Sequence, residues 1–122
     1  MRGHETISAD QYEAAVRATW SEEQFQATVI ALAQANGWRV AAFRPARTLH
    51  GWRTAVQADG AGWPDLVMVR GNKAICAELK VGRNRTTGLQ KAWLVALEEA
   101  GFVSCVWYPS EWDDAIVPLL GR

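Results

Sequence analysis

Asp65, Glu78 and Lys80 are the residues of this chain whose types and spacing could do chemistry together. They bracket two short apolar runs, 65–69 and 74–79, joined by Arg70-Gly71-Asn72-Lys73, a tight hairpin signal. With Gly71-Asn72 as a two-residue turn, Arg70 faces Lys73, and counting outward Asp65 faces Glu78. Directly paired residues share a face with Cβ atoms roughly 4.5–5.5 Å apart. Strand alternation then puts Lys80 on the face of Glu78. Two carboxylates and one ammonium are thus expected at the end of a hairpin remote from its turn. Adjacent carboxylates repel, and a divalent cation removes the conflict. Hard oxygen ligands in this number suit Mg2+ or Mn2+, which keep several waters. Such an ion makes a nucleophile of a water and stabilises charge on a phosphoryl oxygen. A lysine beside it can orient that water or neutralise developing charge. These are the parts of phosphodiester hydrolysis, and no serine or cysteine nucleophile system accompanies them. On this view the loss of Asp65 raises stability without metal, because repulsion is relieved. An ion pair of Lys80 with Asp65 or Glu78 is the alternative that spacing leaves open.

The hairpin strands are apolar on both faces, with Leu66, Met68, Ile75 and Ala77 on one and Val67, Val69, Ala74 and Cys76 on the other. That pattern belongs to central strands covered on both sides, so the charges are expected at the edge of a dry core. Pro64 ends a Gly-rich stretch, 59–63, and fixes where Asp65 begins its strand. Ser21-Glu22-Glu23-Gln24 signals a capping box and a helix over 21–36, stopped by Gly37. Its apolar stripe is Phe25, Val29, Leu32 and Ala33, and Glu22 falls on the inward side. Glu22 is therefore a third candidate acid, although the helix dipole alone also favours an acid there.

Elsewhere, Ser8-Ala9-Asp10 caps a short helix over 11–16. Residues 38–43 read as a strand, and 44–62 show no clear period, a length usual for functional or disordered loops. A polar loop spans 83–87. A helix follows over 88–100, with Leu89, Trp93, Ala96 and Leu97 on one face. Residues 103–107 form a strand, and Pro109 opens a last helix to about residue 120. The order α-α-β-β-β-α-β-α is that of an α/β fold with a mixed sheet, divided into an N-terminal extension (1–20) and a main domain (21–122).

The 122 residues suffice for one domain with a real core. Thirteen basic and thirteen acidic residues balance to a net charge of zero, so no strongly basic surface announces a nucleic-acid partner, though local charge can still bind one. Arg44, Arg47 and Arg53 before the site, and Arg83 and Arg85 after it, are the candidates for DNA phosphate contacts. His50 and Trp52 are candidates for base stacking, whereas Trp63 is expected to pack beneath the strand start. Cys76 and Cys105 sit in apolar runs and lack any CxxC spacing, which marks them as small core hydrophobes. The seven tryptophans are expected to fill the core, with some left for an interface. No stretch is long enough for a membrane span, and the N-terminus lacks a signal-peptide core, so a cytoplasmic location is expected, in a bacterium or a phage-infected host. Neither a P-loop nor a GxGxxG pattern is present, which disfavours a small-molecule enzyme on a nucleotide-binding fold.

Pro64-Asp65 and Glu78-Leu79-Lys80 together resemble the PD and ExK elements of the PD-(D/E)XK nucleases. More closely, the chain resembles their VRR-NUC group, including its small phage and bacterial members. Ser21-Glu22 through Gln26 and Val29, then Gly62-Trp63-Pro64-Asp65-Leu66, then Glu78-Leu79-Lys80, then Gln90-Lys91-Ala92-Trp93 with Leu97 and Gly101, follow that group in order across 21–112. The resemblance implies a restriction-endonuclease-like mixed sheet flanked by helices. It also implies a Mg2+- or Mn2+-dependent endonuclease acting on branched or flap DNA. Asp65, Glu78 and the Leu79 carbonyl would bind the metal, Lys80 would be the catalytic lysine, and Glu22 would reach the metal directly or through water. Gln90 would lie near the site. Small members resemble Holliday-junction resolvases and often form dimers, so a homodimer is expected. The match is poorest over 44–61. A non-catalytic DNA-binding or assembly module that keeps the nuclease fold is the competing expectation.

Overall fold

A computed structural model describes residues 6–43, 46–48, 51–53 and 56–122, with only the backbone described at 46–48 and 51–53. The helices are α1 (Ala9–Arg17), α2 (Glu22–Ala35), α3 (Gly88–Glu99) and α4 (Val117–Gly121). The strands are β1 (Arg39–Ala42), β2 (Ala46–Thr48), β3 (Gly51–Arg53), β4 (Leu66–Arg70), β5 (Lys73–Leu79) and β6 (Val103–Trp107). The main sheet runs β1-β4-β5-β6, antiparallel except for the parallel β5–β6 pair, while β2 and β3 form a separate antiparallel hairpin. The fold is therefore mixed α/β around a mixed sheet. No helix among the described residues is long and apolar enough to cross a membrane.

Local chemistry explains most of these elements. Ser8, Ser21 and Thr87 cap α1, α2 and α3, each answered three residues on by a glutamine whose side chain accepts from the cap N–H. The β4–β5 hairpin turns on Gly71-Asn72, and Gly71 has φ 61°, a sign that glycine adopts without steric cost at the first central position. Arg70 pairs with Lys73 and Leu66 with Ala77, the register expected from the turn. The central strands bury both faces. On one, Leu66, Met68, Ile75, Ala77 and Leu79 meet Phe25, Val29 and Ala33 of α2, together with Trp38, Trp107, Ile116 and Leu120. On the other, Cys76 meets Leu94 and Leu97 of α3, rimmed by Trp63, Val67, Trp93 and Val106. Burial raises the thiol pKa at both cysteines, to about 12 at the half-buried Cys105, so both stay protonated.

Four details depart from the sequence expectation. The 44–62 segment contains the β2–β3 hairpin; three-residue strands are too short to display a two-residue period. Helix α3 presents Leu94 and Leu97 to the sheet, whereas Leu89 is 60% exposed and Ala96 faces outward. Apolar residues run almost all the way round α3, so periodicity alone does not choose a face. The last helix is broken into a 3-10 turn (Pro109–Glu111), a wide π turn (Trp112–Ile116) and α4. Pro118, which cannot donate a backbone hydrogen bond, forces that break. In α2 the buried set includes Gln26, with Leu32 only half buried. Helix α1 buries no residue; it is held by Arg17, whose guanidinium meets the Asp113 carboxylate at 2.8 Å, and by Trp20 packed on Phe25 and Trp112.

The stretch before β4 is pressed onto the start of α3. Gly62 has φ 89°, and a Cβ there would lie 2.6 Å from the Leu89 carbonyl carbon. Gly71 has a similar φ but open space around it. Gly71→Ala should therefore cost about 1 kcal/mol, for the left-handed backbone alone. Gly62→Ala should cost roughly 3 kcal/mol or more, because strain and overpacking add. Urea melts of the two variants check this; equal losses would mean that the loop does not depend on its contact with α3.

Candidate active site

Asp65 lies one residue before β4. Its carbonyl accepts from Phe43 N–H at 2.8 Å and its Oδ2 accepts from Leu79 N–H at 2.9 Å. Here a side chain completes the strand pairing, and it fixes the carboxylate against β5. Continuing the β4–β5 register by one step sets Asp65 opposite Glu78, and continuing β1–β4 sets Phe43 opposite Asp65. Phe43, Asp65 and Glu78 thus form a row across the sheet at the end far from the Gly71-Asn72 turn. Lys80 follows just past β5, its N–H donating to the Trp107 carbonyl at 2.9 Å and so prolonging the β5–β6 pairing.

Glu78 stands in an unbroken buried run, Ile75 to Leu79, and is only 2% exposed. Its Oε2 is buried with no hydrogen-bond partner. Burial foremost, then the hydrogen bond and negative charge of Asp65, push its pKa from 4.5 up to about 9; Glu22 adds to the rise and Lys80 opposes it. Glu78 therefore keeps its proton at neutral pH.

A cavity of about 640 Å³ opens onto this row. Glu22, Asp65, Glu78, Lys80 and Gln90 line it, as do Phe43, Val56, Trp63 and the 60–62 backbone. The structure thus brings together the five side chains singled out from sequence. Glu22 contributes from the start of α2 as an exposed residue at the rim. Gln90 is present with a restriction: its Oε1 accepts from Thr87 N–H at 2.8 Å in the α3 cap, so its amide nitrogen is the group left to meet a ligand. Arg83 and Arg85 are exposed on the 80–87 loop and do not line the cavity; the Arg85 guanidinium lies over the Tyr108 ring. Arg44 and His50 lie outside the described residues, as do the side chains of Arg47, Trp52 and Arg53.

Sequence reasoning missed Phe43 and Val56 as cavity residues, and placed Trp63 as packing only. Trp63 meets Phe43 edge to face at 6.1 Å and Trp93 at 4.9 Å, and its buried indole N–H has no acceptor. The Trp93 indole in turn donates to the Asp59 carbonyl at 2.9 Å. The signal for Phe43 was its place opposite Asp65, which exists only once β1 is known to pair with β4.

Among the described residues, no three His, Cys, Asp or Glu side chains converge as a ready-made metal cage. The residues present nonetheless fit a hydrated Mg2+ or Mn2+. Such ions are commonly held by one or two carboxylates plus waters, and the orphaned Glu78 oxygen is an acceptor that the protein itself leaves without a partner.

Two stability measurements follow. Between about pH 4.5 and 9 the unfolded chain releases the Glu78 proton while the folded chain keeps it, so metal-free stability falls as pH rises through that window. Glu78→Gln should remove this slope and be more stable than wild type at the alkaline end; parallel slopes would refute a buried protonated Glu78. The structure also reverses the sign expected for Asp65. With Glu78 neutral there is little repulsion to relieve, and Leu79 N–H would lose its acceptor, so Asp65→Ala should cost about 1–3 kcal/mol near pH 6. A rise in melting temperature would contradict this. Neither a protein-family model nor a curated protein nor a solved structure matches this chain.

Proposed function

We propose that this protein is a Mg2+- or Mn2+-dependent endonuclease with a restriction-endonuclease-like core, hydrolysing phosphodiester bonds in branched or flap DNA as Holliday-junction resolvases do, and working as a homodimer. The observation that carries this reading is the buried Glu78 carboxyl, its Oε2 without a hydrogen-bond partner, set beside Asp65 and near Lys80 in one cavity. A purely structural ion pair would satisfy both acid oxygens; here one is left over, which is costly unless something occupies the site.

A bound divalent ion would supply an activated water and a counter-charge for the phosphoryl oxygen. Asp65, held by Leu79 N–H, offers its carboxylate in a fixed orientation. Glu78 would have to give up its proton to ligate a cation, which would tie ion affinity to pH. The Leu79 carbonyl and Glu22 are the further oxygen donors at hand. Lys80, anchored through its backbone to β6, brings an ammonium to neutralise charge that develops on the substrate. Gln90 offers an amide N–H from the start of α3. Arg44, Arg47, Arg53, Arg83 and Arg85 are the phosphate-binding set of this proposal.

Cleavage of flap, branched and linear DNA with Mg2+ or Mn2+ tests the proposal. Lys80→Ala should lower the rate by about 10²-fold or more, the size expected for a charge-stabilising donor, and leave Mn2+ binding in place. Calorimetry of Mn2+ binding in buffers of different ionisation heat should show a proton released near pH 7 by wild type and none by Glu78→Gln. DNA binding with no Mn2+ heat and no cleavage would instead mark a non-catalytic DNA-binding module.

A further inference from the structure

Half of the cavity is unsuited to a phosphate. Lys80 is the sole cation lining it among the described residues, while Phe43, Val56 and Trp63 give it an apolar wall. Its volume of about 640 Å³ lies within the range of pockets that enclose a whole organic ligand. A track for duplex backbone would instead be lined by arginine and lysine.

Phe43 is the residue that decides what the wall does. Its ring is 42% exposed, although it stands opposite Asp65 in the row that carries the acids. The hydrogen bond from Phe43 N–H to the Asp65 carbonyl fixes this neighbourhood. Behind the ring, Trp63 meets it edge to face, Trp93 braces Trp63, and Asp59 holds Trp93. The aromatic surface is therefore pre-positioned.

We infer that Phe43, backed by Trp63, is the stacking platform for one unpaired nucleobase next to the phosphate that Lys80 faces. This rests on the nuclease reading for the phosphate, and it adds to it a subsite for a base that is free to leave the helix stack. Any base serves, because every base presents a π face. Base-paired DNA enters only after the cost of unstacking is met.

The probe is a short single strand carrying one 2-aminopurine, whose emission is quenched on stacking, titrated with metal-free protein. Wild type should quench it. Phe43→Ala should abolish the quenching and weaken binding by about fivefold to a hundredfold, the range for loss of one aromatic–base stack. Phe43→Leu, which keeps packing on Trp63 without a π face, should behave like Phe43→Ala, whereas Phe43→Trp should quench. An abasic residue at the same place should bring wild-type affinity down to that of Phe43→Ala. Equal quenching and affinity for wild type and Phe43→Leu would overturn the platform even if DNA is cleaved. Phe43-dependent quenching without cleavage under any metal would leave the platform standing and remove the nuclease assignment instead.

Discussion

The carboxyl of Glu78 sits where the fold would otherwise place another valine. Its neighbours along β5, Ile75 to Leu79, are buried on both sides of the sheet, and the strand before it turns the Asp65 carboxylate toward the same spot. An ionised acid in such surroundings is expensive unless it is paired or bound to a cation. The protein responds by keeping Glu78 protonated in the free state. The geometry around it is built to hold that one group: α2 and the C-terminal turns seal one face, α3 seals the other, and the loop before β4 closes the end.

The fastening of this end is mostly backbone work. Asp65 accepts from Leu79 through its side chain and from Phe43 through its carbonyl, while Lys80 donates to Trp107. Each bond extends a strand pairing by one position beyond the regular sheet. The acids, the lysine and the aromatic rim are consequently held by the same network that holds the sheet together. Gly62 against Leu89 and the Trp63–Trp93 contact then tie the loop to α3, so the walls of the cavity come from elements that cannot shift independently.

Much of this arrangement was legible in the sequence because it depends on local rules. A two-residue turn fixes a register, and the register fixes that Asp65 meets Glu78. Serine with glutamine three residues later fixes the start of α2, and hence where Glu22 stands. What was not legible depends on contacts between distant segments. Phe43 joins the row only through β1–β4 pairing, which no turn specifies. The face that α3 presents is chosen by packing on Cys76 and by the hydrogen bond from Ser104 to the Leu94 carbonyl, because its own sequence is apolar on nearly every side. The break before α4 was not read from the sequence, and its form as a wide turn reflects how Ile116 and Leu120 must both reach the core.

The Gly71-Asn72 bend lies at the opposite extremity of the hairpin from the acids. The five residue steps from Lys73 to Glu78 span about 17 Å at the usual rise per residue. A side chain at Gly71 would meet open space. This bend is accordingly a natural handle: a fluorophore, an affinity peptide or a surface tether attached there would report on the molecule, or immobilise it, while leaving the chemistry at the far end undisturbed.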